Sequence, residues 1–224
     1  MSNLPINSNL SISQQFTNEL LNPSIDLAID YSEIYIDDLI QNEALNEIPI
    51  IKTIVGFVKA GISINKFFFA KKLLSFIREF NTGKIDKEEK DKFLKKLQED
   101  SKFRKKVTEQ IMIYLDRFND VSKALILANL FKAYVEEKIS YAEFEFISIS
   151  VERLHPNSYS FFEVLESLNY KIGHEFKGVR DYDSESLLFS SGLATDGPSD
   201  WWSGFMLKKE GVLLYELGIK PLVR

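Results

Sequence analysis

Four carboxylates, Asp26, Asp30, Glu33 and Asp37, recur at i, i+4, i+7 and i+11. On a helix that spacing makes one acidic face, and carboxylates at i and i+4 can share a hard cation. Metal sites among helices, however, draw ligands from several helices and often include histidine. The chain has two histidines, His155 and His174, and no cysteine. Thiolate nucleophiles, disulfides and multi-histidine metal sites are therefore excluded. His155 sits in a His-Pro turn and His174 follows Gly173, so both read as loop residues rather than general bases. No nucleophile elbow, phosphate-binding glycine loop, dinucleotide fingerprint or zinc-protease helix motif occurs. No catalytic residue, metal ligand or cofactor is assigned, and the expected class is not an enzyme. The acidic face reads as solvated or paired with lysines.

Basic and aromatic side chains offer association rather than reaction. Lys52, Lys59 and Lys66 are seven apart and form one narrow stripe on a helix. Ile54, Phe57, Val58, Ile62, Ile64, Phe68 and Phe69 occupy most of the remaining circumference. An arc that wide belongs to a helix buried on several sides, or to one lying in a membrane interface. The lysines are candidate lipid or partner contacts. They also rule out a transmembrane span, which needs about 18 or more residues with few or no charges. The lysines between Lys84 and Lys106 are interleaved with Asp and Glu, which suits a solvated face better than a nucleic-acid stripe. Trp201 and Trp202 are adjacent, and successive side chains of a strand point to opposite faces. One of them is thus a candidate anchor for a partner, together with Phe205.

The elements that must position these residues are mostly helices. A polar arm is expected over residues 1–12, then a short helix over Ser13 to Leu21. Asn22 before Pro23 predicts an N-cap and a helix to about Asn42, carrying the acidic face. Pro49 opens a helix running to about residue 80, which Asn81-Thr82-Gly83 ends. Asp86 with Glu89 predicts a helix of about thirteen residues, by capping. Ser101 opens the next, Asp120 precedes another, and Ser140 with Glu143 is a capping box leading to about Leu154. His155-Pro156-Asn157 breaks the pattern, a helix resumes over Ser160 to Leu168, and glycines then become frequent. The expected organisation is a helical bundle over 13–154 and a smaller module over 155–224.

Composition agrees with a globular chain of 224 residues, with 45% apolar and 27% charged side chains, enough to bury a core. Its 18 phenylalanines require a large aromatic core or an aromatic contact surface. The net charge of −5 is segregated: residues 1–47 carry eight acids and no Lys or Arg, while 48–112 carry sixteen basic and eight acidic side chains. Such segments can pair within the chain and need no outside ligand. The N-terminal stretch lacks the basic and apolar regions of a secretory signal, so the expected address is the cytoplasm.

Two resemblances follow from particular residues. Leu187-Leu188-Phe189-Ser190-Ser191-Gly192-Leu193, then Phe205-Met206-Leu207-Lys208-Lys209-Glu210-Gly211-Val212-Leu213-Leu214, resembles a winged-helix module. The first run matches the end of a recognition helix entering a strand. The second matches the returning wing strand and a closing helix. Lys208 departs from the pattern, which usually has Thr or Ser there to cap the closing helix. The stretch matching the recognition helix, Asp181 to Ser186, carries three carboxylates. That disfavours nucleic acid. Separately, Glu47 to Ile51, Lys71 to Leu73, Leu115 to Arg117, Lys132 to Tyr134 and Ile139 to Tyr141 together resemble an uncharacterised family of bacterial helical proteins. This resemblance implies a helical core and a bacterial origin.

The expected fold is mainly α: a multi-helix bundle with a small α+β, winged-helix-like C-terminal module. The expected function is a non-enzymatic interaction or regulatory protein that binds another protein or itself. The alternatives are a DNA-binding regulator using Lys208, Lys209 and the middle of the chain, and a membrane-associated effector acting through residues 48–69.

Overall fold

The computed structural model of the protein describes residues 12–43, 47–49, 51–52, 64–82, 85–168, 170, 181–197 and 204–223. The fold is mainly α, with one two-stranded antiparallel sheet near the C-terminus. The chain forms two compact units, Met1–Leu125 and Ile126–Arg224.

In the first unit, α1 (Ile12–Leu21) is followed by an irregular stretch and a short helix α2 (Ile36–Gln41). The helix expected from Pro23 to Asn42 is therefore a correction: only its last turns are helical. Asp26 Oδ1 accepts from the Ala28 N–H at 2.9 Å, and Asp30 Oδ1 from the Ser32 N–H at 2.9 Å and hydroxyl at 2.6 Å. Short polar side chains that bond the backbone two residues on compete with helix formation, and here they win. Glu19 holds Ser24 through both its N–H and its hydroxyl, at 2.9 and 2.6 Å. Ile25 and Tyr31 anchor the loop by burial. Asp26 and Asp30 thus lie in turns rather than on one helical face.

Helix α3 (Ile64–Thr82) buries Phe67, Leu73, Leu74, Phe76, Ile77 and Phe80. Phe76 meets Phe16 of α1 at 5.8 Å and stacks on Phe80 at 6.4 Å between ring centroids. Helix α4 (Lys87–Glu99) starts where the sequence predicts, with the Asp86 carboxylate accepting from the Glu89 N–H at 3.0 Å. Helix α5 (Ser101–Arg117) packs against α1, α3 and α4, and so forms their common wall. It begins at Ser101, as expected, and its cap is Asp100. The Asp100 carboxylate accepts from the Lys102 and Phe103 N–H groups, both at 2.9 Å, while its own N–H closes α4 on the Lys96 carbonyl. One residue ends one helix and begins the next. Helix α6 (Val121–Val135), most of which belongs to the second unit, follows Asp120, whose carboxylate accepts from the Ser122 N–H at 2.7 Å.

In the second unit, the capping box at Ser140 and Glu143 opens α7 (Tyr141–Arg153) with both reciprocal bonds formed. A 3₁₀ turn, Pro156–Ser158, leads into α8 (Tyr159–Ser167); His155 Nδ1 accepts from the Asn157 N–H there, a turn role. Asp181 caps α9 (Tyr182–Ser190). Gly192, at φ +82°, then turns the chain in a conformation that favours glycine, with the Gly192 and Leu193 N–H groups bonded to Phe189 and Leu188 carbonyls. Strand β1 (Ala194–Gly197) pairs with β2 (Gly204–Leu207), Ala194 opposite Leu207 and Gly197 opposite Gly204. Helix α10 (Lys209–Leu214) packs against α7 and passes into a π-helical turn, Tyr215–Ile219. Lys208, the departure from the winged-helix pattern, offers no side-chain cap to α10.

Gly211 explains the glycine in that pattern. A Cβ there would come within 2.8 Å of the Leu193 carbonyl oxygen and 2.6 Å of Leu207 Cδ1, so only glycine lets α10 lie against the hairpin.

Two stability measurements follow. By urea unfolding, Asp100→Ala costs about 1 kcal/mol, whereas Ser101→Ala stays within about 0.5 kcal/mol, because the carboxylate at 100 holds the free N–H groups. Gly211→Ala destabilises by about 1–3 kcal/mol, since a backbone oxygen cannot give way as a side chain can.

Candidate interaction site

Phe205 is fully buried at the centre of an aromatic cluster. Phe161, Phe189 and Tyr170 surround it with ring centroids at 5.6, 5.7 and 6.3 Å, the first two edge-on. Tyr170 Oη also accepts from the Leu207 N–H at 2.8 Å, tying the strand to that cluster. The residue named from sequence as a contact is thus a core residue; the strand's alternation turns it inward. Trp201 and Trp202 lie outside the described residues. Lys52 and Lys66 are exposed, and Lys59 with most of the 48–69 segment lies outside the described residues. Among the described residues no helix is long and apolar enough to cross a membrane.

On α9 the exposed positions include Asp181, Tyr182, Asp183, Ser186 and Ser190, while Glu185 is buried. The face that would meet a ligand in a recognition helix is acidic and hydroxylated, without Lys or Arg.

A different element presents apolar surface. Helix α7 buries Phe144, Ile147, Ser148, Ser150 and Val151 on one side. On the other, Phe146 is 44% exposed and Ile149 40% exposed. At 100° per residue, Ala142, Glu145, Phe146, Ile149 and Arg153 fall within an arc of about 100°, a single stripe. A Cβ at Gly192 would meet the Phe146 ring at 3.8 Å, so the turn after α9 borders this stripe. Nothing at the sequence level singled these residues out. The signal that could have done so is the run Phe144, Phe146, Ile147, Ile149, Val151, which is apolar around more of the helix than one packing partner covers.

Electrostatics hold α7 in place rather than arm it for chemistry. Lys209 of α10 donates to Glu143 Oε1 at 2.6 Å, and Ser140 donates to Oε2 through its N–H at 2.8 Å and its hydroxyl at 2.9 Å. The Lys209 ammonium first, and then the Ser140 groups, hold the Glu143 carboxyl down at about 2. Elsewhere in this unit, a cleft of about 320 Å³ is walled by Phe162, Leu165, Leu207, Val212 and Tyr215. Glu166 at its rim accepts from Tyr215 Oη at 2.6 Å and from Lys220. In the first unit, a polar hollow of about 370 Å³ contains Lys72, Asp116 and Asp120. Lys72 is buried and its ammonium donates to the Asp116 and Phe118 carbonyls at 3.1 and 2.5 Å. It closes the C-terminal end of α5, where a cation complements the unpaired carbonyls. Burial pushes its pKa down, with Asp116 opposing. A lysine so held is a structural cap.

No protein-family model, no curated protein and no solved structure matches the chain.

The Glu143 contacts predict an acid-side stability change. The folded carboxyl titrates near 2 against an ordinary 4.5, so its contribution is complete above about 4.5 and is lost as pH falls towards 2. Thermal melts across that window fall less steeply in Glu143→Gln than in the parent protein.

Proposed function

We propose that this protein is a non-enzymatic interaction or regulatory protein of the bacterial cytoplasm, with a winged-helix-like C-terminal module that serves protein contacts. The observation that carries the reading is the exposed apolar stripe of α7, with Phe146 and Ile149 at its centre. Contiguous apolar side chains on a helix face are hydrated at a cost that a partner removes, and rigid aromatic anchors are the usual centre of such contacts. The acidic exposed face of α9 supports a protein ligand over DNA, since the exposed Asp181 and Asp183 carboxylates repel phosphates. The absence of cysteine is compatible with a reducing compartment. The resemblance of the C-terminal run to winged-helix modules is supported by the order helix, strand, strand, helix and by the close approach that Gly211 permits.

A photo-reactive phenylalanine analogue placed at position 146 tests this in living cells. Illumination is expected to yield discrete adducts with a protein, either this chain or another. The same analogue at exposed Glu99 is expected to yield none. Absence of any adduct from position 146 would sink the reading.

A further inference from the structure

The stripe on α7 ends in two charges of opposite sign. Glu145 is partly exposed and Arg153 is exposed, and neither has an ion pair among the described residues. They are eight residues apart, about 12 Å along the helix axis, so they cannot pair with each other. The other acids of α7 are occupied: Glu143 holds Lys209 and the Ser140 cap, and Glu152 has its own interaction. Two charges without an ion pair among the described residues therefore flank Phe146 and Ile149.

Their placement is symmetric. Glu145 lies four residues before Ile149 and Arg153 four residues after it. A two-fold axis through Ile149, with two helices running antiparallel, sets residue 149−k against 149+k of the other copy. Each Arg153 then faces the second copy's Glu145, and the two Ile149 side chains meet on the axis. Phe146 lies against the turn that carries the second copy's Glu152 and Arg153, where its ring covers the arginine stem. Parallel pairing would instead set Glu145 on Glu145 and Arg153 on Arg153, which repels. Isologous contacts require this self-complementarity, whereas an unrelated partner does not.

We infer that the apolar face of α7 binds the same face of a second copy of this chain, antiparallel about Ile149, with two Arg153–Glu145 ion pairs closing its ends. The inference rests on the interaction reading above and names the partner. One short helix face falls below the roughly 1,200 Å² of a stable interface, so the dimer is weak, with a dissociation constant on the order of 10–100 µM.

Sedimentation equilibrium of the full chain up to about 500 µM tests it, a range that brackets such an affinity. The parent protein is expected to dimerise reversibly. Glu145→Arg alone and Arg153→Glu alone each weaken association by about tenfold or more, because both ion pairs become repulsive. Mixing the two variants restores dimers, since one copy then carries two arginines and the other two glutamates. The double variant Glu145→Arg/Arg153→Glu also dimerises. Recovery on mixing shows that each variant is folded. A parent protein that stays monomeric, or charge reversals without effect, or a mixture that stays monomeric, overturns the inference. If the parent is monomeric while position 146 still cross-links to a different protein, the interaction reading stands and the second copy is rejected. If Phe146→Glu abolishes dimers that the charge reversals leave intact, the face stands and the register about Ile149 falls.

Discussion

Each helix leaves four N–H groups without an intrahelical partner, and a chain built from many short helices meets that constraint repeatedly. Here short polar side chains supply the acceptors. Asp86, Asp100, Asp120, Ser140 and Asp181 each accept from the backbone N–H of the second or third residue of the helix they precede. Where these acceptors sit decides where each helix begins. The start in turn sets which positions fall on the inner face. Asp100 shows the economy of the arrangement, since its N–H ends α4 while its carboxylate starts α5. The C-terminal end of α5 is closed as firmly, by Lys72 reaching from α3 to two carbonyls.

With the ends set, aromatic burial completes each unit. In the first, α5 is the wall against which α1, α3 and α4 rest, and Phe16, Phe76 and Phe80 fill the space beside it. In the second, Phe205 is ringed by three aromatic side chains, and Phe162 stacks on Tyr215 at 5.6 Å. Much of the phenylalanine content is accounted for in this way. The remainder is informative because it is left over. Phe146 and Ile149 stay 44% and 40% exposed although the opposite side of their helix is packed, and that imbalance is the physical basis for an association surface.

The same cap that starts α7 also aims it. Ser140 and Glu143 fix its first turn, and Lys209 ties that turn to α10, against which the helix packs. An apolar stripe on a helix so held is presented in one orientation, which lowers the ordering entropy a partner must overcome.

Much of the local structure was legible in the sequence. The helices after Asp86, Asp120 and Ser140 follow from capping residues and 3.6-residue periodicity, both short-range properties, and the hairpin between α9 and α10 was expected from the winged-helix resemblance. The stretch from Pro23 departs from the helix its spacing predicts, because periodic carboxylates suit a helix face as well as a series of turns. Only the competition between Asp26 and Asp30 side chains and the helix ladder, settled by burying Ile25 and Tyr31, chose the turns. The candidate site was the least legible. Phe205 and Phe146 are the same side chain in apolar runs, and sequence alone does not say which is covered. The sequence by itself determined the helix starts and the supply of apolar surface, because caps and periodicity act over a few residues. Only the tertiary structure decided which apolar faces found partners, because that depends on contacts between residues tens of positions apart.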